Sequence, residues 1–462
     1  MLKLAPHLTA ARLKSRAGDA WLDVLAVLSF ALSAFMALTV AGGIQMFQRR
    51  YENPTPEMLE VFSEPVPGEA RAQLQVYFTL ALVAGALLVV PIFSLGASAA
   101  RLGAKGRAKR LASLRLVGVT PAQTVGISLV ETAVQWVIGA SIGTILYLVT
   151  LPAWGQVSFM SIQIEAANMR LSFLALTGLL VALLFIALLS TAAGLNRVRI
   201  SPLGVARHEA SPALKRWRLF VFIAAIVAFW IYTATASQSQ STADYATQLI
   251  ATAIFIAIII FAFSVVGPWS LQLLARPAVR TRSVPRLLAA RRIVDDPKAA
   301  WRTVSALSLL CLIAGFVATV SDSGTDPDSA IFMRDIRTGV TITLVFGFTV
   351  AALSTLMNQS SMVFERAEQT LALSHVGFPR KVFNRTRLFQ TIGPLALVTT
   401  TSAALGLTLA YLASAGESSL STSELTRLVL TVLAGSALSL VSLLACQPLE
   451  GYVLASQQRK ND

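Results

Sequence analysis

The residues able to do chemistry in this chain are few and scattered. His7, His208 and His375 stand far apart, and no Cys or carboxylate cluster joins any of them. Cys311 and Cys446 both fall inside apolar blocks, without the spacing of a metal site or a disulfide framework, and read as small core residues. Asp322, Asp326 and Asp328 belong to a Ser/Gly/Asp/Pro stretch that reads as a solvated turn rather than a Ca²⁺ loop. The sequence contains no G-x-x-x-x-G-K-[ST], the loop whose backbone amides cradle nucleotide phosphates. Gly103-Ala-Lys-Gly106 lacks that spacing and the Ser or Thr, and reads as a flexible break at the end of a helix. Glu131 is the exception worth weighing, because it stands about two turns inside an apolar block. An ionisable group at such depth is costly and is a functional candidate by default. Packing is the plainer role for it. These residues give no basis for an enzyme, a resident metal or a cofactor.

The elements that hold these residues are membrane spans. Hydrophobic residues make up 55% of the 462, and charged residues only 13%, against roughly 25% charged in soluble domains. A bilayer core of ~30 Å is crossed by ~20 helical residues. Ten apolar blocks reach or approach that length, near 21–46, 76–100, 124–150, 171–194, 219–236, 246–274, 303–320, 337–360, 388–413 and 427–446. They are too long and too evenly apolar for barrel strands. The expected fold is an all-α polytopic membrane protein of ten transmembrane helices. The first block is uncleaved and stays as an anchor.

The net charge of +15 is a matter of topology here, not of nucleic-acid binding. With both termini in the cytoplasm, the inner segments hold 31 of the 38 Lys and Arg, as 4, 6, 6, 8, 5 and 2; the outer loops hold 3, 1, 0, 2 and 1. That alternation obeys the positive-inside rule at every loop. Acidic residues reverse it, with 13 of 23 outside, so the outer face carries 7 − 13 = −6. The longest outer loop, roughly 48–75, is too short for a large extracellular domain.

The chain is also written twice. Pro6-His-Leu8-Thr-Ala10-Ala11-Arg12 precedes Ala20-Trp21, and Pro285-Arg-Leu287-Leu-Ala289-Ala290-Arg291 precedes Ala300-Trp301. Both read as amphipathic stretches on the cytoplasmic surface with an interfacial Trp. A shift of 259 positions pairs Arg107-Ala108 with Arg366-Ala367, Leu114 with Leu373, Val117-Gly118 with Val376-Gly377, Leu129 with Leu388 and Thr132 with Thr391. That is 7 identities in 26 positions, against about two from composition alone. Ser201-Pro202-Leu203 and Gln447-Pro448-Leu449 are a third echo. Residues 1–210 and 279–462 are therefore expected to be two four-helix repeats, and 211–278 a connecting hairpin. An even number of spans separates the repeats, so they share one orientation and an axis along the membrane normal. Gly139-x-x-x-Gly143 and Ser402-x-x-x-Gly406 allow close helix approach. Pro91, Pro268 and Pro394 stand inside spans where each removes a backbone donor.

An amphipathic lead-in, a basic loop ending in L-x-x-V-G after the second span, and an S-P-L tail resemble the FtsX/MacB-type ABC permease superfamily, in its ten-helix, internally duplicated form. Arg107 to Gly118 and Arg366 to Gly377 resemble the family's loop pattern R-x-x-E-x-x-x-L-x-x-x-G, with Arg110 and Gln369 where an acidic residue is common. Glu131 stands where the family has a buried Glu; Gln390 stands there in the second copy. The resemblance implies that 104–118 and 363–377 are short coupling helices resting on a dimer of ATPase subunits. Arg107, Leu114, Val117, Gly118, Arg366, Leu373, Val376 and Gly377 would be the contacts. ATP and Mg would be bound by that partner. The function so implied is export or extraction of an amphipathic substrate (a peptide antibiotic or a lipid) across the bacterial cytoplasmic membrane. An antibiotic sensor with the same ATPase, reporting to a sensor kinase, would need the same loops. An ion-coupled carrier would need ionisable residues near the midplane; Asp23 and Glu131 are both nearer the cytoplasmic ends.

Overall fold

A computed structural model describes residues 19–56, 58, 67–116, 120–199, 217–238, 245–318, 327–365, 370, 372, 375–377, 379–413 and 422–446. Long helices follow the apolar blocks: α1 (Asp19–Glu52), α2 (Pro67–Leu116) and α3 (Pro121–Thr150). A 3₁₀ turn (Leu151–Gln156), a hairpin of β1 (Ser158–Phe159) and β2 (Ile162–Gln163), and the one-turn α4 (Ala166–Met169) lead into α5 (Phe173–Arg199). Then come α6 (Trp217–Gln238), α7 (Tyr245–Ala275), α8 (Val284–Asp295), α9 (Pro297–Val317), α10 (Pro327–Glu365), α11 (Arg380–Ala413) and α12 (Thr422–Ala445). The two-residue strands are the only β-structure among the described residues. The chain is an all-helical, multi-pass membrane protein. Among the described residues nine helices are long and apolar enough to cross a bilayer, and α6 falls short with an apolar part of Trp217–Tyr232.

The same element pairs meet in both halves of the chain. In the first, α1 packs on α2 and α3, and α5 on α2 and α3; in the second, α9 packs on α10 and α11, and α12 on α10 and α11. In the α1–α3 and α9–α11 pairs glycines let the backbones approach closely. A Cβ at Gly143 would lie 2.4 Å from the Ala31 carbonyl oxygen, and one at Gly139 2.6 Å from the Phe30 Cβ. On the other side, a Cβ at Gly315 would lie 2.3 Å from the Ala403 carbonyl oxygen, and one at Gly406 2.2 Å from that of Leu312. The small-residue spacing in the sequence thus marks these two close contacts. Ser308 and Ser402 add a buried hydroxyl pair, 2.9 Å apart, between α9 and α11.

The halves meet along α2 and α10, which occupy equivalent places in the two repeats. Leu88, Ile92, Leu95 and Ala99 of α2 share one core with Val350 and Met357 of α10, and Phe35 of α1 stacks on Phe346 at 6.4 Å. The connector sits to one side: Phe229 of α6 and Ile259 of α7 pack with Leu312 of α9 and Leu409 of α11.

Three expectations need correction. Gly103 and Gly106 do not break α2, which runs unbroken to Leu116. Residues 104–116 are accordingly a continuation of α2, not a separate short helix. Trp301 is not an interfacial anchor: it is buried, lies edge-on to Phe263 at 5.5 Å, and fills the space left by Gly267, whose Cβ would meet the ring at 2.3 Å. The second lead-in is α8, which docks on the bundle rather than lying apart on the surface. Its repeated Ala-Ala pair, Ala289 and Ala290, is buried, and Arg286 stacks over Phe389 of α11 at 5.0 Å. The first lead-in and both S-P-L tails lie outside the described residues.

Glycine contacts of this kind give a sharp contrast. Gly143→Ala and Gly406→Ala each push a methyl into a neighbouring backbone and should cost about 1–3 kcal/mol. Gly126→Ala and Gly393→Ala meet nothing within 4 Å and should be neutral or gain up to about 1 kcal/mol from helix propensity. Thermal unfolding of the four variants in one detergent checks the ordering.

Candidate functional site

The residues singled out in the sequence follow the apolar spans of α2 and α10, helices that end at Leu116 and Glu365. Arg107 and Leu114 fall on the extension of α2 beyond its apolar span, Gln73–Ala100. That extension, residues 101–116, adds about 24 Å at 1.5 Å per residue. Val117, Gly118, Arg366 and Leu373 lie outside the described residues. Val376 and Gly377 do not: the Val376 amide donates to the Ala372 carbonyl at 3.2 Å, and Gly377 follows at φ +93°. That is the left-handed residue that ends a helical turn, which an L side chain adopts only at a cost. Val376 is 76% exposed, an apolar side chain standing free beside a fixed turn. The repeated Val-Gly is thus explained in the second copy as an exposed apolar residue at a glycine helix stop.

α3 begins just after the first Val-Gly. Thr120 and Gln123 form a reciprocal cap, each side chain bonded to the other's amide, and Pro121 takes the first position, where its missing N–H costs nothing. Three turns on, Glu131 is 1% exposed and fully inside the bundle. Near it, Gln135 donates to Asp23 Oδ1 of α1 at 2.8 Å, and Thr132 meets Thr191 of α5 at 3.2 Å. The second copy repeats the threonine and changes its partner: Thr391 accepts from Gln359 Nε2 of α10 at 3.3 Å, and Gln390 is also buried. Each half thus has a polar layer at this depth, with carboxyl groups in the first and amides in the second. Cys311 and Cys446 are free and buried.

Sequence reasoning missed a second site, at the opposite end. Residues 151–172 fold down over the outer ends of α1 and α2. Arg49 reaches the carbonyls of Ala167, Asn168 and Arg170 at 3.0, 3.3 and 3.4 Å. Arg50, 3% exposed, spreads its two terminal nitrogens to the carbonyls of Phe159 and Gln163, each at 3.1 Å. Tyr147 donates to the Met169 carbonyl at 2.6 Å and accepts from the Leu171 amide at 3.2 Å. Gly42 makes room on α1, since a Cβ there would be 2.6 Å from the same Met169 oxygen.

Asp335 of α10 joins this cap from the other half of the chain. Only 1% exposed, its Oδ2 accepts from the Tyr77 hydroxyl of α2 at 2.9 Å and from the Met160 amide at 2.6 Å. Met160 and Ser161, the two residues of the hairpin turn, sit at φ 57° and 60°. Both positions of such a two-residue turn need positive φ and usually hold Asn or Gly; two ordinary side chains there are strained. Arg334 reaches Ser161 Oγ at 3.3 Å. Phe47, Phe159, Tyr77 and Phe332 pack ring to ring around the carboxylate. The sequence signal was a pair of arginines and a lone Asp just past the ends of apolar blocks, where topology alone seemed to explain them.

No family model matches the chain, and no curated protein matches it.

The helix stop is directly testable. Gly377→Ala should destabilise the turn by about 1 kcal/mol through backbone conformation alone, since nothing lies near its Cβ. Gly377→Asn should lose less. Hydrogen exchange at the Val376 amide, roughly fivefold faster in the Ala variant, is the measurement.

Proposed function

We propose that this chain is the membrane subunit of a transporter whose ATPase is a separate polypeptide. The observation that carries the reading is α2. It is one helix of 50 residues, about 75 Å long. It starts at the capped end, lies along its counterpart α10 between the half-bundles, and protrudes beyond its apolar span at the basic end. A rigid rod with that placement converts a push on its basic tip into a movement between the halves.

On this reading the basic end faces the cytoplasm, the orientation in which 31 of the 38 Lys and Arg fall in inner segments of the sequence. α6 is the tenth span, both termini are cytoplasmic, and the membrane is a bacterial cytoplasmic membrane. Residues 1–210 and 279–462 are the two repeats and 211–278 the connector. Each repeat offers one docking loop, 104–118 and 363–377, so the ATPase binds as two copies. ATP and Mg stay on that partner, and the chain itself catalyses nothing. This is the organisation of FtsX/MacB-type permeases that the loops resemble. The loops at the capped end are too short to hold a domain that would grip a distant machine. The cargo is therefore taken from the bilayer itself: an amphipathic peptide or a lipid, entering between helices whose outer faces are already in contact with acyl chains.

Purification from the native host in mild detergent tests this. The expected result is a nucleotide-binding subunit at two copies per chain, lost when Gly118 and Gly377 are both replaced by Trp while the chain itself still folds. A lone chain, under conditions that keep comparable complexes intact, would overturn the proposal and bring an ion-coupled carrier forward.

A further inference from the structure

Along most of their contact the two half-bundles touch through apolar side chains. Leucine, isoleucine, valine and methionine of α2 and α10 form that seam. Inside a bilayer such a seam has little to hold it, because lipid tails are as apolar as the side chains they would replace. Polar bonds are different, being directional and either made or broken. Three hydrogen bonds cross between the half-bundles at Asp335 and Arg334: from Tyr77, from the Met160 amide, and to Ser161. They sit together at the end of the seam farthest from the basic loops.

We propose that Asp335, Tyr77 and the Met160–Ser161 turn form a latch that holds the two half-bundles together at this end, and that its release opens the bundle there. Three features make the latch two-state. Asp335 is buried and bonded when closed, and becomes hydrated when the halves part. Halfway between, with its bonds broken and water not yet admitted, a buried carboxylate is at its most costly. The contact it grips is a tight hairpin turn with two successive residues at positive φ, which offers the Met160 amide to Asp335 in one fixed orientation. The turn is also tied firmly to its own half by Arg50, which bonds the carbonyls on both sides of it. Separation therefore takes place between Asp335 and the turn, leaving the cap on α1 in place. Phe332 against Tyr77, at 5.5 Å, closes the apolar side of the same contact. The latch rests on the transporter reading only in that its end is then the external one.

Spin labels at Arg71→Cys and Ala330→Cys report the separation, since both positions are exposed at this end of α2 and α10 and the two native cysteines are buried. The chain is placed alone in lipid nanodiscs, and the distance distribution is measured by pulsed electron resonance. The parent should give one dominant short distance. Asp335→Ala should raise the long-distance fraction roughly tenfold, the effect of losing bonds to a buried charged group. Tyr77→Phe, which removes one hydroxyl, should raise it less. Asp335→Asn keeps an acceptor oxygen and should stay near the parent. Unchanged distances in Asp335→Ala and Tyr77→Phe would overturn the latch; if Asp335→Ala fails to fold, Tyr77→Phe alone decides. No ATPase is present, so the latch can fail while the transporter reading stands, and the reverse.

Discussion

In a bilayer the hydrophobic effect does not press helix against helix, so close backbone approach and buried polar bonds must do it. The bundle depends on two such approaches. α1 meets α3 across Gly139 and Gly143, and α9 meets α11 across Gly315 and Gly406, each near enough that a single methyl would strike a neighbouring backbone or Cβ. Around these two cores the remaining helices are held less closely. The span of α5 is only 11% buried and that of α12 only 22%, against 72% for α9. Their wide apolar faces belong to lipid.

The halves share a plan but not a chemistry. Glu131 and Gln390 occupy matching places, both buried, and each lies beside a threonine bonded across to another helix. One copy keeps a carboxyl group and the other an amide of the same shape. At the opposite end the difference is greater. The first half builds a cap from residues 151–172 and clamps it with Arg49, Arg50 and Tyr147. The link between α11 and α12, residues 414–421, is shorter. The second half contributes instead the one carboxylate that the cap grips. Two halves that share a packing plan but differ in this way make a joint with two unlike faces, which two identical halves could not make.

How far the sequence could be read follows from which forces it writes plainly. Span positions were legible because length and hydropathy decide them: the block read as 246–274 is α7, Tyr245–Ala275, and that read as 388–413 lies within α11. Small-residue spacing in the third and ninth blocks marked the tight pairs correctly. The repeated Ala-Ala of the second lead-in was visible but misread, since an amphipathic stretch looks the same whether it faces lipid headgroups or a neighbouring helix. Trp301 was misread for a related reason: its pocket exists only because Gly267, far off in sequence, leaves room for the ring. Gly103 and Gly106 looked like a break because each weakens a helix locally, yet the helix continues through both. The cap was illegible altogether. Its bonds run from side chains to backbone carbonyls and amides over separations above one hundred residues, and no local pattern encodes them.

Both ends of the molecule meet in α2. Tyr77 belongs to its first turns in the membrane and Arg107 and Leu114 to its last turns beyond it, with Pro91 inside the same helix between them. A helix transmits displacement along its length only so far as its hydrogen-bond ladder is intact, and a proline takes one rung away and crowds the carbonyl before it. α2 nonetheless runs as one helix from Pro67 to Leu116, so Pro91 removes one rung without dividing it. Ser33 of α1 bonds the carbonyl of Ile92, the next residue, which pins α2 to the first core just at that point. A sideways push on the basic tip then pivots near Pro91 instead of translating the whole helix, and the opposite end answers in the reverse direction. That end carries Tyr77. On the proposed transporter reading, that fixed point on α1 would turn force on the basic end into strain on the bonds around Asp335.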